Sequence, residues 1–226
     1  MNSAMFVKEL AGLRFEDVFN PYSERCKEFD RHDAPRIRQK NLRLVIDKAL
    51  QTSVDTLWIA RDLGYRGGRR TGLALTDEAH LHDHSHLYGD LPLERATKGP
   101  VVVERTAKVI WHTLKLIDRP IFLWNVFPLH PHEANDPRSN RCHTRLEREV
   151  CRPLLVRLIA GLRPKLVVAI GRDAEQALAD MGIAASGVRH PSYGGQSDFI
   201  KGICSIYGLR SDIVEAQKSM FSDGLL

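Results

Sequence analysis

Four apolar runs punctuate the chain, and each gives way to a polar residue or a glycine. Residues 54–60 (Val-Asp-Thr-Leu-Trp-Ile-Ala), 120–126 and 165–170 are short, β-branched and aromatic-rich, as buried strands are; residues 184–190 form a weaker fourth. Helical spacing fills the intervals. Leu42, Val45, Ile46, Ala49 and Leu50 mark one face of residues 36–52, and Val102, Val109, Ile110, Leu114 and Ile117 mark one side of residues 100–117. Further helices are expected over residues 140–162, 173–181 and 197–207, with Asn140 capping the first and Pro153 kinking or dividing it. Residues 61–86 read as loop-rich, and residues 128–139, with Pro128, Pro131 and Pro137, as a long loop without regular structure. Residues 1–35, broken at Asn20-Pro21 and Ala34-Pro35, read as an N-terminal extension packed on the core of a single domain. Alternating strands and helices predict an α/β fold: three layers, α/β/α, with a central four-stranded parallel sheet flanked by helices.

In such sheets ligands bind beyond the carboxyl ends of the strands, where Asp62, Asn125 and His190 fall. Composition sharpens this reading in three ways. At 43% hydrophobic and 27% charged the chain is of ordinary globular type; it holds no apolar run near the roughly 20 residues a membrane span needs and no secretory leader pattern, so a cytoplasmic protein, taken as a monomer, is expected. Cys26, Cys142, Cys151 and Cys204 lie scattered without a C-x-x-C pair, which favours reduced thiols over a thiolate zinc site or cluster. The net charge of +5 suits a polyanionic partner, and Arg61, Arg66, Arg69 and Arg70 crowd one stretch, readable as a solvated loop or as one facing phosphates.

Three motifs carry candidate chemistry. The first is Ala60-Arg61-Asp62-Leu63-Gly64, continued by Arg69-Arg70-Thr71-Gly72-Leu73-Ala74-Leu75-Thr76; the second is Leu123-Trp124-Asn125-Val126; the third is His190-Pro191-Ser192, followed by Tyr193-Gly194-Gly195-Gln196. In this order, across residues 54–207, they resemble the uracil-DNA glycosylase superfamily, in a divergent bacterial-type branch without the four-cysteine pattern of the iron–sulfur members. The resemblance implies a water-activating loop at Asp62, a base-reading Asn125 and a His190 loop that contacts the uracil carbonyl and leads into a DNA-wedging segment.

The residue types fit that chemistry. Cleaving the glycosidic bond of an extruded uracil leaves an oxocarbenium-like sugar and an anionic base. A carboxylate at Asp62 orients water and balances the sugar's charge, and an imidazole N–H at His190 meets the charge growing on O2. The amide of Asn125 matches the O4 and N3–H edge of uracil and mismatches that of cytosine. Ser192 and the backbone of Gly194 and Gly195 are expected at phosphates, Tyr193 and Gln196 in the gap left by the base, and Arg66, Arg69 and Arg70 on the DNA backbone. No lysine stands in the three loops as a Schiff-base nucleophile, so a monofunctional enzyme without cofactor or metal is expected, its partner uracil-containing DNA, single- or double-stranded.

Two positions depart from the family pattern. Leu75 stands where many relatives stack a Phe under the base, with Phe127 a substitute from another side. Gly64 stands where one branch has a Tyr that blocks the methyl of thymine, which leaves thymine to be excluded elsewhere or not at all and opens the pocket to other deaminated bases. The run His80-Leu81-His82-Asp83-His84-Ser85-His86 is unexplained by this reading. As a strand it would put four imidazoles on one face, and a zinc metallohydrolase is the alternative it suggests. A binding module of the same fold that does not cut DNA is the other alternative.

Overall fold

The computed structural model describes residues 1–117 and 119–209. In chain order its elements are α1 (Ser3–Gly12), β1 (Val18–Phe19), α2 (Ala34–Gln51), β2 (Thr56–Asp62), α3 (Gly68–Thr71), α4 (Leu81–Leu87), α5 (Arg105–Leu114), β3 (Ile121–Phe127), β4 (His130–Pro131), α6 (Arg145–Leu162), β5 (Leu166–Ile170), α7 (Arg172–Asp180), β6 (Ser186–Val188) and α8 (Gln196–Tyr207). The main sheet runs β3-β2-β5-β6, parallel throughout, and a two-residue antiparallel ladder joins β1 to β4.

The apolar character of the strands on both faces follows from a sheet covered on both sides. One face packs Phe122 and Trp124 against Phe6 of α1, Leu42 and Ile46 of α2, Leu154 and Leu158 of α6, and Ala174 and Leu178 of α7. The other packs Trp58, Ile121 and Val168 against Ala107 and Ile110 of α5 and Phe199 and Ile203 of α8. The chain runs from β2 outward to β3 and then returns across β2 to β5. The strand order reverses at β2, which opens a crevice at its carboxyl end.

Four details differ from the expectations above. Residues 61–86 contain α3 and α4, and β4 lies inside the proline-rich stretch, with Pro131 at a ladder too short to show a periodicity. Pro153 sits inside an undivided α6, on its exposed face, where water can take the carbonyl the ring leaves unbonded. The cap of α6 is Thr144 in a reciprocal capping box with Glu147, while Asn140 accepts from the backbone N–H of Tyr65 at 2.8 Å.

Candidate active site

A cavity of about 620 Å³ opens at the carboxyl ends of β2, β5 and β6, lined among others by Asp62, Gly64, Leu75, Glu104, His190 and Tyr193. Asp62 ends β2, and its side chain is 6% exposed. Arg61 Nε donates to Asp62 Oδ2 at 2.5 Å, and His143 Nδ1 hydrogen-bonds Asp62 Oδ1. Arg61 reaches on to Asp173 Oδ2 at 2.7 Å. Burial works against the Arg61 cation, yet Asp62 and Asp173 hold it more firmly protonated than a free arginine. His143 gets its place from the start of α6: Arg141 clasps Glu147 with two bonds of 2.9 and 2.6 Å, and the capping box fixes Thr144 next to it.

His190 follows β6 and is half-buried. Its Nδ1 accepts from the Ser192 backbone N–H at 3.2 Å and lies 2.7 Å from Ser192 Oγ, which puts the ring proton on Nε2. Burial, with added repulsion from Arg61 and Arg189, lowers its pKa to about 4, so at neutral pH the ring is uncharged. Two glycines make room for it. Gly171 has φ +90°, and a Cβ there would come within 3.1 Å of His190 Cβ; a Cβ on Gly195 would lie 2.2 Å from the His190 carbonyl oxygen. Beyond the turn, Tyr193 is 98% exposed and in the left-handed region at φ +49°.

Leu75 is also left-handed, at φ +55°, a strained conformation for a bulky residue. Its carbonyl accepts from Trp111 Nε1 at 3.1 Å, and Thr71 Oγ1 donates to the Thr76 carbonyl at 2.7 Å. The histidine-rich segment supports this loop. It is the helix α4 rather than a strand, so its imidazoles diverge: His84 is buried 2.9 Å from Thr76 Oγ1, His80 pairs with Asp77, and His86 meets Asp90 at the surface. That divergence removes the geometric basis for a zinc hydrolase there. Among the described residues three donors do converge, from Asp62, Cys142 and His143, within 4.8 Å of one another. A cation there would break the hydrogen bond between His143 and Asp62 and sit beside the Arg61 guanidinium.

The structure brings Asp62, Gly64, Leu75, His190, Ser192 and Tyr193 to one cavity and corrects several other expectations. Asn125 lies on β3 opposite Ala60, 1% exposed, and is not among the lining residues. One of its amide protons goes to the Asp62 carbonyl at 2.9 Å, and its Oδ1 is buried without a partner among the described residues. Phe127 is fully buried behind the site against Phe15 and His143. Arg69 and Arg70 face inward, not toward DNA. Arg69 lies 4.0 Å over Phe19 and bonds the Pro137 carbonyl, and Arg70 lies 4.0 Å over Phe29 and 3.2 Å from Glu78. Gly195 is buried with its N–H on the Ser192 carbonyl, and Ser192 serves His190, so neither is free for a phosphate. Gln196 is the first residue of α8, half-buried. Arg66 is exposed beside the cavity, and Arg172 and Arg189, which sequence reasoning passed over, are exposed on its lining.

A carboxylate at the carboxyl end of β2 and a neutral imidazole after β6, with β5 between them and arginines around the mouth, make this an α/β enzyme with a pocket suited to a phosphate-bearing substrate. A family model described as the uracil DNA glycosylase superfamily matches residues 66–206. The chain belongs to that superfamily, which supports DNA glycosylase activity in general and DNA as the partner. The fold is similar to that of SMUG2 from Pedobacter heparinus, with a TM-score of 0.56 at 14% identity over 98% of this chain and 99% of the other. No curated protein matches by sequence. No described helix is long and apolar enough to cross a membrane.

Proposed function

We propose that this chain is a monofunctional uracil-DNA glycosylase, a single cytoplasmic domain acting as a monomer on DNA from which the base has been turned out. The observation that carries the reading is the sharing of one cavity by the Asp62 carboxylate and an uncharged His190 whose Nε2–H has no partner among the described residues. The C1′–N1 bond breaks and the base leaves as the N1 anion. His190 Nε2–H meets O2 as charge grows there, and Asp62 balances the sugar cation and takes the proton of the water that bonds to C1′. His143 and Arg61 act as positioning residues, each fixing one carboxylate oxygen of Asp62. Arg66, Arg172 and Arg189 hold phosphates around the mouth, and Tyr193 fills the gap in the stack.

The test is base release from single- and double-stranded oligonucleotides carrying one uracil, with chelator present, read as alkali-labile sites. Cleavage at the uracil alone is expected. Intact DNA that is nevertheless bound would turn the reading to a binding module.

A further inference from the structure

Glu104 is the feature of the pocket that this mechanism leaves unused. It precedes α5 as its N-cap, yet its side chain caps nothing and lines the cavity instead. Its carboxyl oxygens make no hydrogen bond with any described residue. They occupy the space that side chains on two glycines would fill: a Cβ on Gly64 would lie 2.6 Å from Oε1, and one on Gly67 2.1 Å from Oε2. The backbone beneath is tied down. Asp77 Oδ2 accepts the Glu104 N–H at 2.6 Å, His80 Nδ1 holds the other oxygen of Asp77 at 2.6 Å, and Glu78 Oε2 accepts the Val102 N–H at 2.8 Å. The histidine-rich segment thus fixes a carboxyl at the wall of the pocket.

Resting on the proposed function, we propose that Glu104 is a specificity-determining residue that keeps C5-methylated pyrimidine, thymine, out of the pocket. In a pyrimidine, C5 lies across the ring from C2. A base whose O2 meets His190 at the end of β6 therefore turns C5 away from β6, toward the β2 side. Gly64 and Glu104 stand there, two strands across the sheet. A methyl on C5 must take the space of the carboxyl and strip water from a polar group that has no hydrogen-bond partner among the described residues to compensate. Uracil, with hydrogen at C5, leaves the carboxyl in place. The bare glycines and the carboxyl form one device: the loop has no side chain to block the methyl, and Glu104 reaches in from another element to do so.

The test is single-turnover base release from duplexes carrying uracil, 5-fluorouracil or thymine opposite guanine, with the native protein, E104A and E104Q. Native protein and E104Q, equal in size, should release uracil and 5-fluorouracil and spare thymine. E104A should raise the thymine-to-uracil rate ratio at least about tenfold, the discrimination one methyl-sized group supports. Glu104→Ser, with the same expectation, replaces E104A should that variant not fold. Three outcomes overturn the proposal: an unchanged ratio in a truncated variant that still releases uracil, thymine released by the native protein as fast as uracil, or E104Q admitting thymine as readily as E104A. Native protein that releases no base from any duplex would instead sink the glycosylase reading itself, and this proposal with it.

Discussion

Replacing His190 by alanine is the sharpest test of the mechanism, because the structure fixes both what is lost and what is kept. Nδ1 is committed to the Ser192 backbone N–H, so the one group the ring offers the base is Nε2–H. With a pKa of about 4, about one ring in three thousand is charged at pH 7.5, so the donor is a neutral imidazole. Removing one preorganised donor from a developing oxyanion costs about 2.7–4 kcal/mol, or roughly 100- to 1000-fold in the chemical step. Ser192→Ala keeps the backbone donor on Nδ1 and loses only the hydroxyl, a neutral hydrogen bond worth about 0.5–1.5 kcal/mol, so its loss should be roughly two- to tenfold. The assay is single-turnover uracil release with enzyme in excess, alongside fluorescence anisotropy on abasic-analogue DNA for binding. His190→Ala should leave binding nearly unchanged while the rate collapses. A rate within tenfold of native, or binding that weakens by the same factor as the rate, would refute the assignment. So would a native rate profile with an inflection near pH 6.5 that disappears in the variant, because this ring should not charge until about pH 4.

Three further outcomes follow from the same geometry. Burial, with Asp77 adding repulsion and Arg66 opposing it, pushes Glu104 up to about 7; above that pH a carboxylate faces a base that is gaining negative charge. Turnover should then fall roughly tenfold between pH 6 and 8.5 and level out in E104Q, and an equal fall in E104Q would refute the link. Left-handed Tyr193 holds about 1–2 kcal/mol of backbone strain, so Tyr193→Gly should keep or raise the melting temperature yet lower release from duplex more than from single strands; equal losses on both substrates would remove it as a wedge. His84 and His130 sit near 3 and His190 near 4, each pushed down chiefly by burial from 6.5. Below pH 6.5 the unfolded chain takes up protons these rings refuse, so stability should fall between pH 7 and 5. Glu104, raised from 4.5 to about 7, acts in the opposite sense in that window, one group against three. A urea midpoint that rises on acidification would contradict the burial of these histidines.

The sheet was legible because its strands are continuous apolar runs buried on both faces, a pattern carried by neighbouring residues. The ends of β2 and β6, and hence Asp62 and His190, follow from where those runs stop. Missed features depend on partners distant in sequence. His143 meets Asp62 across 81 residues, and no local spacing announces the pair. Arg69 and Arg70 read as a phosphate-facing loop because nothing nearby shows that Phe19 and Phe29 will cover them. The cap of α6 is different: Thr144-Arg145-Leu146-Glu147 carries the capping-box spacing, a local signal that favours Thr144 over Asn140.

The histidine-rich run shows how an apparent functional motif becomes structural once its backbone period is known. On a strand, residues two apart share a face; on a helix they point to nearly opposite sides. In α4 the His84 imidazole therefore goes to the core at Thr76 and His86 to the surface at Asp90, while His80, the N-cap, meets Asp77. The two inward bonds hold the strained Leu75 loop and, through Asp77, the backbone of Glu104. Under the proposed function, such a helix supplies rigidity beneath the pocket wall. His80→Ala should accordingly leave Asp62 chemistry intact and loosen Glu104, which would appear as weaker rejection of thymine at a nearly unchanged rate on uracil. A large loss on uracil with thymine still excluded would place the helix under the reacting groups instead.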